Sequence, residues 1–155
     1  MSSEFKPPLA IFFIWNPSDA EAIGPILDEV RKSFARDKDR QFSRGLNIPL
    51  FFYSSQNPTE VPSHHPQAIA SRNVVFVFTS VNTLGQKNWQ QYVENLVASN
   101  EISLIPVAID HHGLRHAGGL IKLNCIRCFD WPSENRALYA IVSLAHEIYR
   151  YGFIE

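Results

Sequence analysis

At 155 residues, 45% hydrophobic and 19% charged, the chain can build one compact core but not two ordinary domains. Fourteen basic side chains against fifteen acidic ones leave a net charge of −1, which argues against the basic face that phosphate-backbone binding requires. No stretch reaches the roughly 18 apolar residues that cross a bilayer, and MSSEFKPP lacks the pattern of a secretory signal. Two cysteines and no export signal then point to a reducing cytoplasm.

In chain order, PLAIFFIW (8–15) predicts a strand buried on both faces, bounded by prolines and Asn16-Pro17. SDAEAIGPILDEVRKSF follows. Ser18 and Glu21 have capping-box spacing, and Ile23, Ile26, Leu27, Val30 and Phe34 give a helix its inward stripe. A charged loop over 36–47 leads to a second strand, IPLFFYS (48–54), and then to a polar loop, SQNPTEVPSHH. A short helix is expected over roughly 63–71, a third strand at NVVFVFTS (73–80), and a helix at LGQKNWQQYVENLV (84–97).

That helix places Trp89, Tyr92, Val93, Leu96 and Val97 on one face. At about 100° per residue, Glu94 falls about 140° round from Trp89, beside Gln90 at the rim of the buried side. ISLIPVAI (102–109) predicts a fourth strand, and LIKLNCIRCFDW (120–131) holds a fifth. The last helix spans 133–151, capped by Ser133, with Leu138, Ile141, Val142, Ala145, Ile148 and Tyr149 at helical spacing. Apolar strands alternating with helices require both sheet faces to be covered. The fold expected is therefore α/β: a doubly wound, flavodoxin-like parallel sheet of about five strands. Residues 1–155 form a single domain, expected to be the N-terminal part of a larger protein.

Cys125 and Cys128 form a lone C-x-x-C. With His112 and His116 they have the composition of a zinc site, yet an isolated C-x-x-C reads more simply as two small apolar residues beside a late strand. No metal is expected.

In such sheets ligands bind beyond the carboxyl ends of the strands. Those ends deliver Trp15, Asn16 and Ser18 from the first strand, Tyr53, Ser54 and Ser55 from the second, and Thr79, Ser80 and Asn82 from the third. The helix bearing Gln90 and Glu94 begins just past Ser80. There is no G-x-G-x-x-G, no Walker loop and no G-x-S-x-G, which disfavours dinucleotide oxidoreductases, P-loop enzymes and serine hydrolases. What remains is one carboxylate among aromatics and small hydroxyls. One carboxylate suffices where the leaving group is already cationic. Nicotinamide in NAD⁺ is such a group, and the oxocarbenium ion left at the ribose needs a nearby negative charge; aromatic faces suit the flat cationic ring.

The order of elements resembles a TIR (Toll/interleukin-1 receptor) domain over nearly the whole chain. FFIWNPSDAE is similar to the family's first box, RGLNIPLFFYSS to its second strand, and SQNPTEVPSHH to its BB loop. AIASRNVVFVFTSVNTLGQKNWQQYVENLV resembles the family's run from an Ala-Ile helix, through a strand ending in Ser, to a Trp-and-Glu helix. ISLIPVAID resembles the next strand, and CFDW the third box. Trp89 precedes Glu94 by five residues where the family spacing is four, so Gln90 takes the usual Trp position. The loop also lacks the family's usual Gly.

The resemblance implies an NAD⁺ glycohydrolase of the bacterial anti-phage defence type, with NAD⁺ as substrate rather than cofactor. Glu94 is the implied catalytic group. Asn16, Ser18, Tyr53, Ser54, Ser80, Trp89 and Gln90 are the expected substrate contacts. Several have ordinary explanations as well: Trp89 as core, Ser18 as a helix cap, and Tyr53 or Phe51 as either core or a base-stacking ring. His64 and His65 are read as loop residues without a chemical role. The product is ADP-ribose or a cyclic isomer. Activation by self-association through the 55–63 loop, and a downstream sensor domain or partner, are further implications. The competing reading is a non-enzymatic TIR interaction module.

Overall fold

The computed structural model describes residues 9–34, 49–63, 66, 69–99, 101–111 and 126–152. Five parallel strands stand in the order β2-β1-β3-β4-β5, where β1 is Leu9–Ile14, β2 Leu50–Tyr53, β3 Arg72–Thr79, β4 Ser103–Ala108 and β5 Ile126–Arg127. The helices are α1 (Ala20–Phe34), α2 (Val81–Leu84), α3 (Lys87–Val97) and α4 (Arg136–Gly152). This is the doubly wound, flavodoxin-like arrangement expected of continuous apolar strands.

Alternation along β1 and β3 sends side chains into two cores. Leu9, Ile11, Phe13, Val74, Phe76 and Phe78 pack with Ile23, Ile26, Leu27 and Val30 of α1 and Ala140 and Leu144 of α4. Ala10, Phe12, Ile14, Val75 and Val77 pack with Trp89, Tyr92, Val93 and Leu96 of α3. Register aligns aromatic rings across strands. Phe13 stacks on Phe52 at 5.4 Å and on Phe76 at 5.5 Å, and Phe12 stacks on Phe51 at 4.8 Å. Each such ring contributes roughly 1.5–3 kcal/mol by burial.

Several elements differ from expectation. The helix expected over 63–71 does not form at Ser63, Pro66 or Ile69–Ser71. Pro66 has no N–H to give. The Asn73 amide takes over the backbone of Ala70, accepting from its N–H at 3.1 Å and donating to its C=O at 2.9 Å. The helix expected over 84–97 begins at Lys87; Leu84 instead ends a separate short helix, α2, and Gly85 and Gln86 lie between the two. Val97, expected on the buried stripe, is 37% exposed at the end of α3, and Val142 of α4 is 68% exposed. Small Ala137 and Ala140, with Leu144, turn that helix's close-packing face toward α1, and Val142 falls opposite.

The cap at the first turn belongs to Asn16, not Ser18. Pro17 opens a 3₁₀ turn, Pro17–Asp19, ahead of α1, and the Asn16 side chain accepts the Ser18 N–H at 2.8 Å. Cys128 is a buried free thiol, which agrees with its reading as a small apolar residue. Cys125, His112, His116, His64 and His65 lie outside the described residues, as do the Phe34, Leu138, Ile141, Ala145, Ile148, Tyr149 and Ser133 side chains.

Candidate functional site at the β1–β3 switch point

The strand order reverses between β1 and β3, and the crevice beyond their carboxyl ends is where such sheets hold ligands. Asn16 follows β1 directly and is fully buried. Its amide donates to the Pro58 carbonyl at 2.8 Å and the Asn82 carbonyl at 2.9 Å. One side chain thus ties together the end of β1, the loop after β2 and the helix after β3.

Asp19 lies beside it, 6% exposed. The Ser80 hydroxyl donates to one carboxylate oxygen at 2.5 Å and the Asn82 amide to the other at 2.8 Å. Burial pushes the Asp19 carboxyl above the ordinary carboxylate value. Hydrogen bonds from Ser80 and Asn82 oppose this, and the charge of Asp110 adds to it. Asp110 follows β4 and accepts the Val81 N–H at 3.2 Å. Ser80 also accepts the Asn82 N–H at 3.0 Å and so caps α2. Neither Asp19 nor Asp110 was among the residues expected at the site. The available signal was position: each is the first carboxylate after an apolar strand.

The loop after β2 is held by its backbone. The Pro58 carbonyl accepts from Asn16, from Gln86 Nε2 at 2.9 Å and from Trp89 Nε1 at 3.3 Å, and the Thr59 carbonyl accepts from Asn88 at 2.7 Å. Residues 56–60 nevertheless face solvent. The main chain of this loop is pinned at Pro58 and Thr59, while the side chains of 56–60 are exposed.

Trp89 is fully buried, with its indole N–H on Pro58, so in a single chain it is core. Ser54 donates its hydroxyl to the Trp15 carbonyl at 2.9 Å, and Gln90 donates its amide to the Leu84 carbonyl. Tyr53 is half-buried, its ring 5.9 Å from Phe12, and Ser18 is exposed. Asn16, Ser80, Trp89 and Gln90 therefore support the rim by internal contacts. Thr79, beside them, is fully buried with an unpartnered hydroxyl oxygen.

Glu94 is exposed, and among the described residues no hydrogen bond or ion pair involves its carboxylate. At about 100° per residue it lies about 120° round α3 from Asn88. Asn88 holds the loop through Thr59, and Tyr92 on the same side lies near Tyr53 of β2. Glu94 thus occupies the flank of α3 turned away from β2 and from its own chain's loop. The switch-point cluster and Glu94 are not brought together.

Comparison with family models, with curated proteins and with solved structures finds no match for this chain.

Proposed function

We propose that the chain is an NAD⁺ glycohydrolase that acts as an assembly, with Glu94 as its catalytic carboxylate. One observation carries the reading. Glu94, without a side-chain partner among the described residues, stands exposed about 120° round α3 from the Asn88 that grips the 55–63 loop, so a second copy's loop can approach it where its own chain's loop does not. In the reaction the bond between nicotinamide nitrogen and ribose carbon breaks, and its electron pair leaves with nicotinamide. Glu94 stabilises the positive charge left on the sugar. Water attacks that carbon and releases a proton to solvent, giving ADP-ribose. Attack by another atom of the same product gives a cyclic isomer instead. The residue pattern resembling TIR domains supports this reading; so does the parallel sheet in the order such ligand-binding folds use.

The test is chromatographic detection of nicotinamide released from NAD⁺ by the wild-type chain and Glu94→Gln, each dispersed and artificially clustered. Release by clustered wild type, lost in Glu94→Gln, is the expected result. Equal release by both, or none from a demonstrably clustered wild type, overturns the proposal.

A second reading, a non-enzymatic self-association module, is favoured by the satisfied polar rim. Asn16, Asp19 and Ser80 are all engaged with protein groups, which leaves the switch point closed in a single chain. In that case Thr59→Arg on the exposed loop abolishes self-association while Glu94→Gln leaves it intact.

A further inference from the structure

A cavity of about 460 Å³ lies away from the switch point, between β5 with the turn after it and the flank of α4. That volume is in the range of small-ligand sites. Arg127, Asp130, Trp131, Ser143, His146 and Glu147 contribute to its lining. Its charges are unevenly satisfied. Arg127 is turned onto Asp130, with Nε 3.0 Å from a carboxylate oxygen, and its guanidinium also lies 5.4 Å from the Phe129 ring. Among the described residues Glu147 has no such partner: one of its carboxylate oxygens is withdrawn from solvent with no hydrogen bond. An unpartnered buried carboxylate oxygen is costly, and a donor entering the cavity removes that cost. The terminal torsion of a glutamate is broad, so a modest rotation suffices to meet such a donor.

Two acids against one arginine leave the lining with a formal charge of −1 when His146 is neutral. Trp131 supplies an aromatic wall, 5.9 Å from the Tyr139 ring. A carboxylate lacking a donor and an indole in the lining of one cavity match a cation that both donates hydrogen bonds and stacks on a ring.

We infer that this cavity binds a small organic cation, a primary ammonium or guanidinium group on a short hydrocarbon body, with Glu147 accepting its N–H and Trp131 packing on it. The site is separate from Glu94 and stands whether or not the chain cleaves NAD⁺.

The probes are n-butylguanidinium and n-butylammonium, with n-butyrate as the counter-charge control, titrated into the full chain. The readout is the Trp131 indole N–H resonance, assigned by its loss in Trp131→Phe. At least one of the two cations is expected to shift that resonance saturably below about 10 mM. Glu147→Gln and Asp130→Asn, each checked for a native amide spectrum, are expected to weaken binding, Glu147→Gln about five- to tenfold. Which cation binds identifies the favoured head group. No saturable shift with either cation, equal binding of butyrate, or undiminished binding by folded Glu147→Gln overturns the inference. Should Glu147→Gln not fold, undiminished binding by Asp130→Asn overturns it.

Discussion

Asp19 and Ser80, sixty-one residues apart, meet at 2.5 Å where β1 and β3 end, with the serine hydroxyl donating to a buried carboxylate. The contact joins the turn that starts α1 to the cap that starts α2. It also holds an ionisable group in a buried setting, 6% exposed, which gives it a pH signature. Burial raises the folded-state value of Asp19 above its ordinary 3.8. For a raised acid, the folded chain binds the proton more tightly than the unfolded chain. Its contribution to stability is therefore fully present below 3.8 and is lost as pH rises through the higher folded value. Urea unfolding of wild type and Asp19→Asn across pH 3.5 to 7 should show the stability advantage of wild type shrinking as pH rises. A constant difference would contradict this account.

Asn16 is expected to act as the clamp on the loop after β2. Asn16→Ala removes two donated hydrogen bonds and one accepted bond at a fully buried position, uncapping the Ser18 N–H and leaving the Pro58 and Asn82 carbonyls to their remaining donors from Gln86 and Trp89. A loss of about 2–3 kcal/mol is expected by chemical denaturation. Amide exchange at 57–60 should accelerate beyond what this global loss explains, because Pro58 loses its shortest contact.

Gly85 ends α2 under a tight constraint. A Cβ there would lie 2.3 Å from the Val81 carbonyl oxygen, a backbone atom that cannot give way cheaply. Gly85→Ala should cost about 1–3 kcal/mol, mostly by disturbing the α2–α3 turn. By contrast Glu94→Gln, on an exposed site, should change the unfolding free energy little, within about 0.5 kcal/mol by urea titration. Activity loss in that variant then reports chemistry and not unfolding.

Cys128 should be nearly inert in the folded chain. Burial pushes its thiol up to about 11, against a smaller opposing effect of Arg136. In a Cys125→Ser background, iodoacetamide at pH 8 should alkylate the folded protein at least a hundredfold more slowly than the urea-unfolded chain, read by mass spectrometry. Comparable rates would mean that the thiol is reachable.

Phe76→Ala tests the ring ladder across β2, β1 and β3. Phe76 is fully buried on a central strand and stacked on Phe13. A loss of about 3–5 kcal/mol is expected in thermal or urea unfolding.

The sheet was legible in the sequence because its cause is local. Runs such as LAIFFI and NVVFVF are apolar on both alternating faces, and only a parallel sheet covered on both sides buries them. Helical stripes at Ile23 to Val30 and Trp89 to Leu96 named the covering layers for the same reason. Periodicity was weaker at element ends. The cap moved from Ser18 to Asn16 because Pro17 shifts where the first turn begins, and the Asn73 amide displaced a helix before β3 by taking its backbone. The buried partnership of Asn16, Asp19, Ser80, Asn82 and the Pro58 carbonyl depended on distant segments meeting, and no spacing along the chain encodes such a meeting. The direction of Glu94 was set in part by helical geometry, which placed it off the apolar stripe. Which neighbours lay on that side was decided by the strand order and by the loop's attachment to Asn88, because only the packed fold determines what faces each flank of a helix.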